Sequence, residues 1–427
     1  MLKCVHRAKY VLAESNLLLS NAAVHISVQG RISAVEPWHA SSATAEVEVI
    51  DWGSAVIIPG LINAHSHLEL TSLRGRLIRF RSFTDWLSQL IGLRRLWTRE
   101  DFLDSAREGA KAALCSGTTL AGDISSSGLG WNATRGEDLR RVVFEEVIGL
   151  SPGNSDSAFS ELGSLLESAQ PDSLLMHGIS PHAPYSVSPE LYRRLAELSR
   201  RRRLPLATHV AETRPELEFL QGGTGEFKSF LSEFNVLPED WEPPRLAPIA
   251  YLDSLGVLGP SCVLIHCNYL DQESINRIAR TRSSVVYCPR SHAFFGHDKH
   301  PVRQLLDAGI NVALGTDSLA SNSSLSMLDE MRYLFEMRQD LKSQEIFRAA
   351  TLNGATALNP GGNLGRVQPG YCADMAVLRL PENLGPASLL TQVMEGAGEP
   401  IATIVQGNTA WHKSSDAECE RQNNSPA

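Results

Sequence analysis

Eight short apolar runs, each followed by a stretch with helical periodicity, constrain the fold of this chain more than any other feature. They cover residues 56–58, 118–123, 142–148, 174–179, 206–209, 263–266, 285–287 and 312–314. Runs of this length, rich in valine, isoleucine and leucine, read as buried strands. Between them, residues 189–200 (Leu191, Leu195 and Leu198 on one face) and 325–337 have the period of helices. Strand–helix alternation predicts an α/β protein with a parallel sheet. Eight such units predict closure into a (β/α)8 TIM-type barrel rather than an open doubly wound sheet. No Gly-X-Gly-X-X-Gly or Walker-type loop is present, which removes the usual nucleotide-cofactor reading of an open sheet.

The two ends of the chain have a different character. Residues 24–28 and 31–35 alternate apolar and polar positions around a turn at Gln29-Gly30. Residues 373–378 and 401–405, the latter followed by Gly407-Asn408, read the same way. Residues 1–55 and 365–412 are therefore expected to pair into one small β-sandwich domain flanking a barrel over 56–364. Residues 222–248 are rich in Gly, Pro and acidic side chains and are expected to form an insertion after the fifth strand, acting as a lid. Residues 413–427 read as a polar tail.

The chain has 427 residues, 43% hydrophobic and 20% charged, enough to bury one large core and a small appended one. The formal net charge is -9, and the densest basic cluster, Arg200-Arg201-Arg202-Arg203, falls at the end of a predicted helix, where cations complement the dipole. This argues against nucleic acid as a partner. No apolar run approaches ~18 residues, so no membrane span is expected. The N-terminus lacks a basic-then-apolar signal pattern. Seven scattered cysteines without a Cys-X-X-Cys predict a reduced, cytoplasmic protein.

Active sites of such barrels gather at the C-terminal ends of the strands. There the sequence places His65 and His67 after the first run, His182 after the fourth, His209 at the fifth, His266 at the sixth and Asp317 after the eighth. In an extended segment residues i and i+2 project from one face, so His65 and His67 can reach a single ion. Imidazoles and a carboxylate suit a divalent metal with an open position for water, whose pKa such an ion lowers towards about 7. Glu212, three residues beyond His209, is placed to move protons, and His266 to polarise the atom opposite the attacked carbon. A single histidine in such a place is as often structural as functional; the set points to a hydrolase.

These residues resemble the amidohydrolase superfamily, and within it the mononuclear branch of aromatic deaminases and chlorohydrolases. The matching stretches are Pro59-Gly60-Leu61-Ile62-Asn63-Ala64-His65-Ser66-His67, Ser180-Pro181-His182-Ala183-Pro184-Tyr185, His209-Val210-Ala211-Glu212-Thr213, His266-Cys267 and Leu314-Gly315-Thr316-Asp317-Ser318-Leu319-Ala320-Ser321-Asn322. The resemblance implies that His65, His67, His209 and Asp317 hold one zinc or iron ion. It makes Glu212 the acid/base, with His266 and Asp317 assisting proton transfer. A binuclear relative would carry a lysine on strand four; residues 174–179 contain none, and His177 there reads as a satisfied core histidine.

Within the branch the chain is most similar to deaminases of adenosine-type nucleosides, acting on S-adenosylhomocysteine or methylthioadenosine, and on aminodeoxyfutalosine. By similarity, Trp86 lines the pocket and His182 sits near the ribose. The first group carries a glutamate that holds ribose hydroxyls shortly after that tryptophan, where this chain has Arg94-Arg95. An arginine that the group has after strand three is replaced by the stretch Val147-Ile148-Gly149-Leu150. Glu69, in His67-Leu68-Glu69-Leu70, resembles the futalosine group. Arg79, Arg81, Arg94 and Arg95 place cations near the expected pocket mouth, suited to a benzoate carboxylate. The expectation is therefore 6-aminodeoxyfutalosine, a step of menaquinone synthesis, with Trp86, His182, Arg94, Arg95 and Glu69 contacting this small-molecule substrate. Alternatives are S-adenosylhomocysteine or methylthioadenosine, a chlorotriazine or guanine, and a non-catalytic scaffold, which would have lost ligands that are all present here. Homo-oligomers are common among such relatives. Arg290 and His292 after strand seven are also candidates to face substrate, and His297 and His300 read as loop residues.

Overall fold

The computed structural model describes residues 1–39, 47–170, 172–358 and 363–413. In chain order, β1 (Leu2–Glu14), β2 (Leu17–Ser27), β3 (Ile32–Pro37), β4 (Glu48–Asp51) and β5 (Ala55–Pro59) begin one sheet. A second sheet contains β6 (Leu61–Ser66), β7 (Thr118–Ser125), β8 (Arg140–Val147), β9 (Leu175–Pro181), β10 (Leu206–Val210), β11 (Cys262–His266), β12 (Ser284–Tyr287) and β13 (Val312–Leu314). Then β14 (Met375–Arg379), β15 (Glu399–Val405) and β16 (Asn408–His412) return to complete the first.

The first sheet is mixed and runs β16-β15-β14-β5-β1-β2-β3, with β4 also beside β1. It curls on itself. Ile32 N donates to Tyr371 O at 2.9 Å and Ala373 N to Gly30 O at 2.9 Å. Strands from both ends of the chain thus face one another over a shared core that includes Val24, Ile26, Ile57, Met375, Val377 and Ile404. Gly30 has φ +69°, and a Cβ there would stand 2.3 Å from Gln406 O, so the turn has no room for a side chain.

One strand is displaced from its expected place. Residues 56–58, read as the first barrel strand, belong to β5, which pairs antiparallel with β14 and parallel with β1 in the terminal sheet. The first barrel strand is β6, one residue later. The boundary expected at residue 56 thus falls inside a strand of the terminal sheet. Gly60 makes the crossing: a Cβ on it would lie 2.1 Å from Thr119 Oγ1. Two apolar strands separated by a single glycine have no change of period to mark the join.

The second sheet is parallel throughout, with neighbours in chain order from β6 to β13. It closes where β13 meets β6: His65 O accepts from both Thr316 N and Asp317 N at 3.1 Å, and Ser66 bridges Asp317. Helices cover its outside. The helix Pro189–Arg202 starts on the Ser188 cap, has proline in its first turn, and buries Leu191, Leu195 and Leu198. Each such leucine contributes roughly 1.5–3 kcal/mol relative to exposure. Arg200, Arg201 and Arg202 occupy its last turn on the exposed side, and Arg203 ends it at φ +55°. The helix expected over 325–337 runs Met327–Met337, capped by Ser326.

The insertion after β10 contains the helix Glu226–Glu233. Its Phe227 packs 6.2 Å from Phe83 at the start of the helix Phe83–Arg94. Of the tail, all but Lys413 lies outside the described residues. Among the described residues, no helix is long and apolar enough to cross a membrane. Cys4, Cys262, Cys267, Cys288 and Cys372 are free thiols. Cys115 is disulfide-bonded, which departs from the fully reduced chain expected.

Candidate active site

The ends of β6, β10 and β11 and the turn after β13 converge on one point. His65 Nε2 lies 3.5 Å and His67 Nε2 3.7 Å from Asp317 Oδ1. The His65 ring centroid is 4.9 Å from that of His67 and 5.0 Å from that of His209. Candidate ligand atoms of His65, His67 and Asp317 fall within 4.8 Å of one another, as do those of His65, His209 and His266. His67 leaves the strand and caps a 3-10 turn, Leu68–Leu73, so the two side chains reach one point from different backbone conformations.

These side chains are prepared to bind. His209 Nδ1–H donates to His182 O at 3.1 Å, which fixes the tautomer and leaves Nε2 free. His65 Nδ1 is buried without a partner, and Nε2 has only its long 3.5 Å contact with Asp317 Oδ1, a costly state that an ion would relieve. Burial lowers the pKa of His67 and His209 well below the ordinary value, with neighbouring histidines adding to the effect, so both stay neutral. Asp317 Oδ2 accepts from Ser291 Oγ at 2.6 Å and Ser321 Oγ at 2.9 Å, and Oδ1 from Ser318 N at 2.7 Å. Burial pushes its pKa up, but the hydrogen bond and charge of His65 outweigh it and hold Asp317 well below the carboxylate range. The donor set fits a divalent cation.

Glu212 stands beside this cluster, its Oε1 3.4 Å from His266 Nε2. Burial, then the charges of Asp317 and Glu216, raise its pKa well above that of an ordinary glutamate. His266 is brought down to about 3, mainly by burial. The facing pair thus sets a carboxyl that holds its proton more tightly than usual against a neutral imidazole. Glu216 fixes this loop by accepting from Ala211 N at 2.9 Å and Glu212 N at 2.8 Å. Ala211, His266, Cys267 and Asp317 all have positive φ without being glycine. Such backbone costs on the order of 1–3 kcal/mol per residue and clusters at functional sites.

Above the cluster opens a cavity of ≈ 350 Å³. One wall is apolar: Leu87, Leu90 and Ile91 from the helix Phe83–Arg94 face Phe230, Leu231 and Phe234 from the insertion. Trp86 lines it, its Nε1 donating to Ala320 O at 3.4 Å. His182 lines it too, Nδ1 paired with Ser186 Oγ at 2.6 Å, and burial, then Arg94, brings its pKa down to about 4. Arg94, Ser126 and Glu146 form the polar patch between the walls.

Two expected substrate contacts lie elsewhere. Glu69 is buried outside the cavity lining, and its carboxylate is filled by donors. It accepts from Ser126 N at 3.1 Å, Ser127 N at 3.3 Å, Ser127 Oγ at 2.6 Å and Ser126 Oγ, with Arg94 at 3.5 Å. Arg95 is exposed and lies over the outer Phe234 ring, 5.5 Å from its centroid. Arg79 and Arg81 are exposed as well. His177 stacks on Trp131 at 3.8 Å with no hydrogen bond to either ring nitrogen, so it is packed rather than satisfied. His292 does not line the cavity. His300 is buried behind His266, donating to its carbonyl at 2.8 Å, and is no loop residue in the solvated sense.

The profile of the Amidohydrolase family matches residues 56–410. A 5-methylthioadenosine/S-adenosylhomocysteine deaminase from Syntrophobacter fumaroxidans is 31% identical over 82% of this chain and 78% of its own length. One of the same name from Nitratidesulfovibrio vulgaris is 32% identical over 90% and 86%. The fold is similar to that of Helicobacter pylori aminofutalosine deaminase in complex with methylthio-coformycin (TM-score 0.83, 22% identity, 95% of this chain and 100% of that one). It is also similar to a zinc-bound adenosine deaminase from Xanthomonas campestris (TM-score 0.82, 24% identity, 99% and 98%). By the extent of the profile match and the identity to these relatives, the chain belongs to the amidohydrolase family.

Proposed function

We propose that this protein is a metal-dependent hydrolytic deaminase that converts the aminopurine ring of an adenosine-type nucleoside to its oxo form and releases ammonia. The observation that carries the reading is the Glu212–His266 contact set against the convergence of His65, His67, His209 and Asp317 at the floor of a cavity with an apolar wall. The names of the relatives support the nucleoside class. His65, His67, His209 and Asp317 would hold the ion, zinc or iron, since these ligands serve both. When bound, such an ion supplies the Lewis acid that makes water a nucleophile at neutral pH.

The remaining chemistry falls to the chain. Glu212, protonated by burial, gives its proton to the purine ring nitrogen as the ring carbon is attacked, and collects one from the attacking water. His266 keeps the Glu212 carboxyl aimed through the 3.4 Å contact. Asp317, ionised, accepts the second proton of the water and passes it to the departing amino group, which leaves as ammonia. Trp86 flanks the base, and the apolar wall excludes water.

The apolar wall favours a 5′ substituent without charge, such as the thioether of methylthioadenosine, over a carboxylate-bearing one. The arginines that pointed to aminodeoxyfutalosine are exposed, except Arg94, which is already engaged by Ser126 Oγ at 2.5 Å and by Glu69. Arg94 in the cavity lining keeps aminodeoxyfutalosine as the second reading. Ammonia release by metal-loaded protein, ranked by kcat/KM over methylthioadenosine, S-adenosylhomocysteine, adenosine, aminodeoxyfutalosine, guanine and a chlorotriazine, tests both. Methylthioadenosine is expected to lead. Aminodeoxyfutalosine leading by orders of magnitude would restore the second reading, and no ammonia from any of them with metal bound would sink the deaminase.

A further inference from the structure

Glu146, next to last in β8, is the one carboxylate of the cavity lining that neither the metal cluster nor the proton transfer uses. Its neighbours are satisfied differently. Glu69 is filled by Ser126 and Ser127, Glu216 by backbone amides, and Asp123 accepts from Leu68 N at 2.9 Å. Among the described residues Glu146 has no hydrogen bond and no ion pair; the charge of Arg94 reaches it only at longer range. Glu146 is half-buried, and burial pushes its pKa up to about 7, so its unpaired oxygens gain from donors on whatever fills the cavity.

Its oxygen lies within 4.8 Å of ring nitrogens of His182 and His209. A second ion among these three is a poor fit. Nδ1 of His209 is committed to His182 O, and its one free nitrogen faces the main cluster. On the deaminase reading, the position beside His182 and next to the floor is where a nucleoside carries its sugar rather than its 5′ tail. A cis-diol offers two O–H donors to the two oxygens of one carboxylate, which suits Glu146 without a competing protein donor. We propose that Glu146 accepts hydrogen bonds from the vicinal hydroxyls of the substrate sugar and so selects ribonucleosides over deoxyribonucleosides. The inference rests on the deaminase reading for the position of the purine. It also places the sugar-binding carboxylate on a barrel strand, opposite the helix where Arg94-Arg95 stands in place of an expected glutamate.

The test compares kcat/KM for adenosine, 2′-deoxyadenosine and 3′-deoxyadenosine in wild type, Glu146→Gln and Glu146→Ala, with metal content measured for each. Wild type should favour adenosine by roughly 10- to 100-fold, the range of a hydrogen bond to a charged group. Both variants should bring that ratio below about threefold. The ratio is internal to each variant, so a partly misfolded preparation does not alter it, and Gln keeps the volume if Ala fails to fold. Wild type without discrimination, or variants that keep it, overturns the proposal while leaving the deaminase intact. If wild type deaminates no nucleoside, the deaminase reading fails separately. Calorimetric binding of inosine and 2′-deoxyinosine then decides: tighter binding of inosine, lost in Glu146→Gln, sustains the contact, and equal or absent binding removes it.

Discussion

The floor and the outer wall of the cavity are built on opposite principles. The floor is a set of titratable groups at strand ends, each locked by a second polar group: His209 by the His182 carbonyl, Asp317 by Ser291 and Ser321, Glu212 by Glu216. The outer wall is two short amphipathic segments whose leucines and phenylalanines meet across the opening. Chemistry needs positions fixed to a few tenths of an ångström, which only hydrogen-bonded strand ends supply. Substrate choice needs only shape and dryness. The difference teaches that the reaction type should withstand changes in the wall, and substrate preference should withstand few of them.

Perturbing each region should separate the two. The largest effect is expected from Glu212→Gln, which should lower kcat by about 10²- to 10⁴-fold with metal content unchanged; an active variant would remove its proton role. Ser291→Ala takes a 2.6 Å bond from Asp317 and should cost about 10- to 100-fold in metal affinity or turnover, read by metal titration beside kinetics. In the wall, Phe234→Ala should raise KM for methylthioadenosine by roughly three- to tenfold, from about 1 kcal/mol of lost apolar burial, and leave kcat near wild type. Loss of kcat instead would show that the wall also positions the reacting atoms. Smallest of all, Arg95→Ala should change kcat/KM for every nucleoside by less than about twofold, as expected of an exposed side chain. A selective loss on aminodeoxyfutalosine would return that arginine to the site.

The floor was readable in the sequence because position along a barrel strand dictates direction. His65, His209, His266 and Asp317 each follow an apolar run, and the strand-end rule brings them together without knowledge of packing. The wall was not readable in the same way. Arg94 and Arg95 are adjacent, but they stand at the end of a helix, where about 100° of rotation per residue sends one into the cavity and the other to solvent. Glu69 resembled a substrate contact by its neighbours in sequence; its real partners, Ser126 and Ser127, lie 57 and 58 residues away. Ser291, 26 residues from Asp317, left no local mark either. Glu146 did leave one: Glu145-Glu146 interrupts the otherwise apolar run Val142-Val143-Phe144, and two carboxyls in a buried strand need a reason. Glu216 was also signalled, by Thr213 three residues ahead of it in the pattern of a helix start.

The barrel is joined at β13 and β6 by the carbonyl of His65 and the amides of Thr316 and Asp317. The side chains of His65 and Asp317 belong to the cluster that would hold the ion, so the last seam of the fold and the first ligands of the metal are the same residues. An ion gripping both sides binds only the joined form, and mass action then makes metal concentration a control on how often the cylinder opens. Amide hydrogen exchange at Thr316 and Asp317 should accelerate on chelation more than exchange in the interior of β9, on the far side of the barrel. Ageing of such an enzyme would then begin as a slow unzipping along one edge, set by the supply of a trace element as much as by temperature.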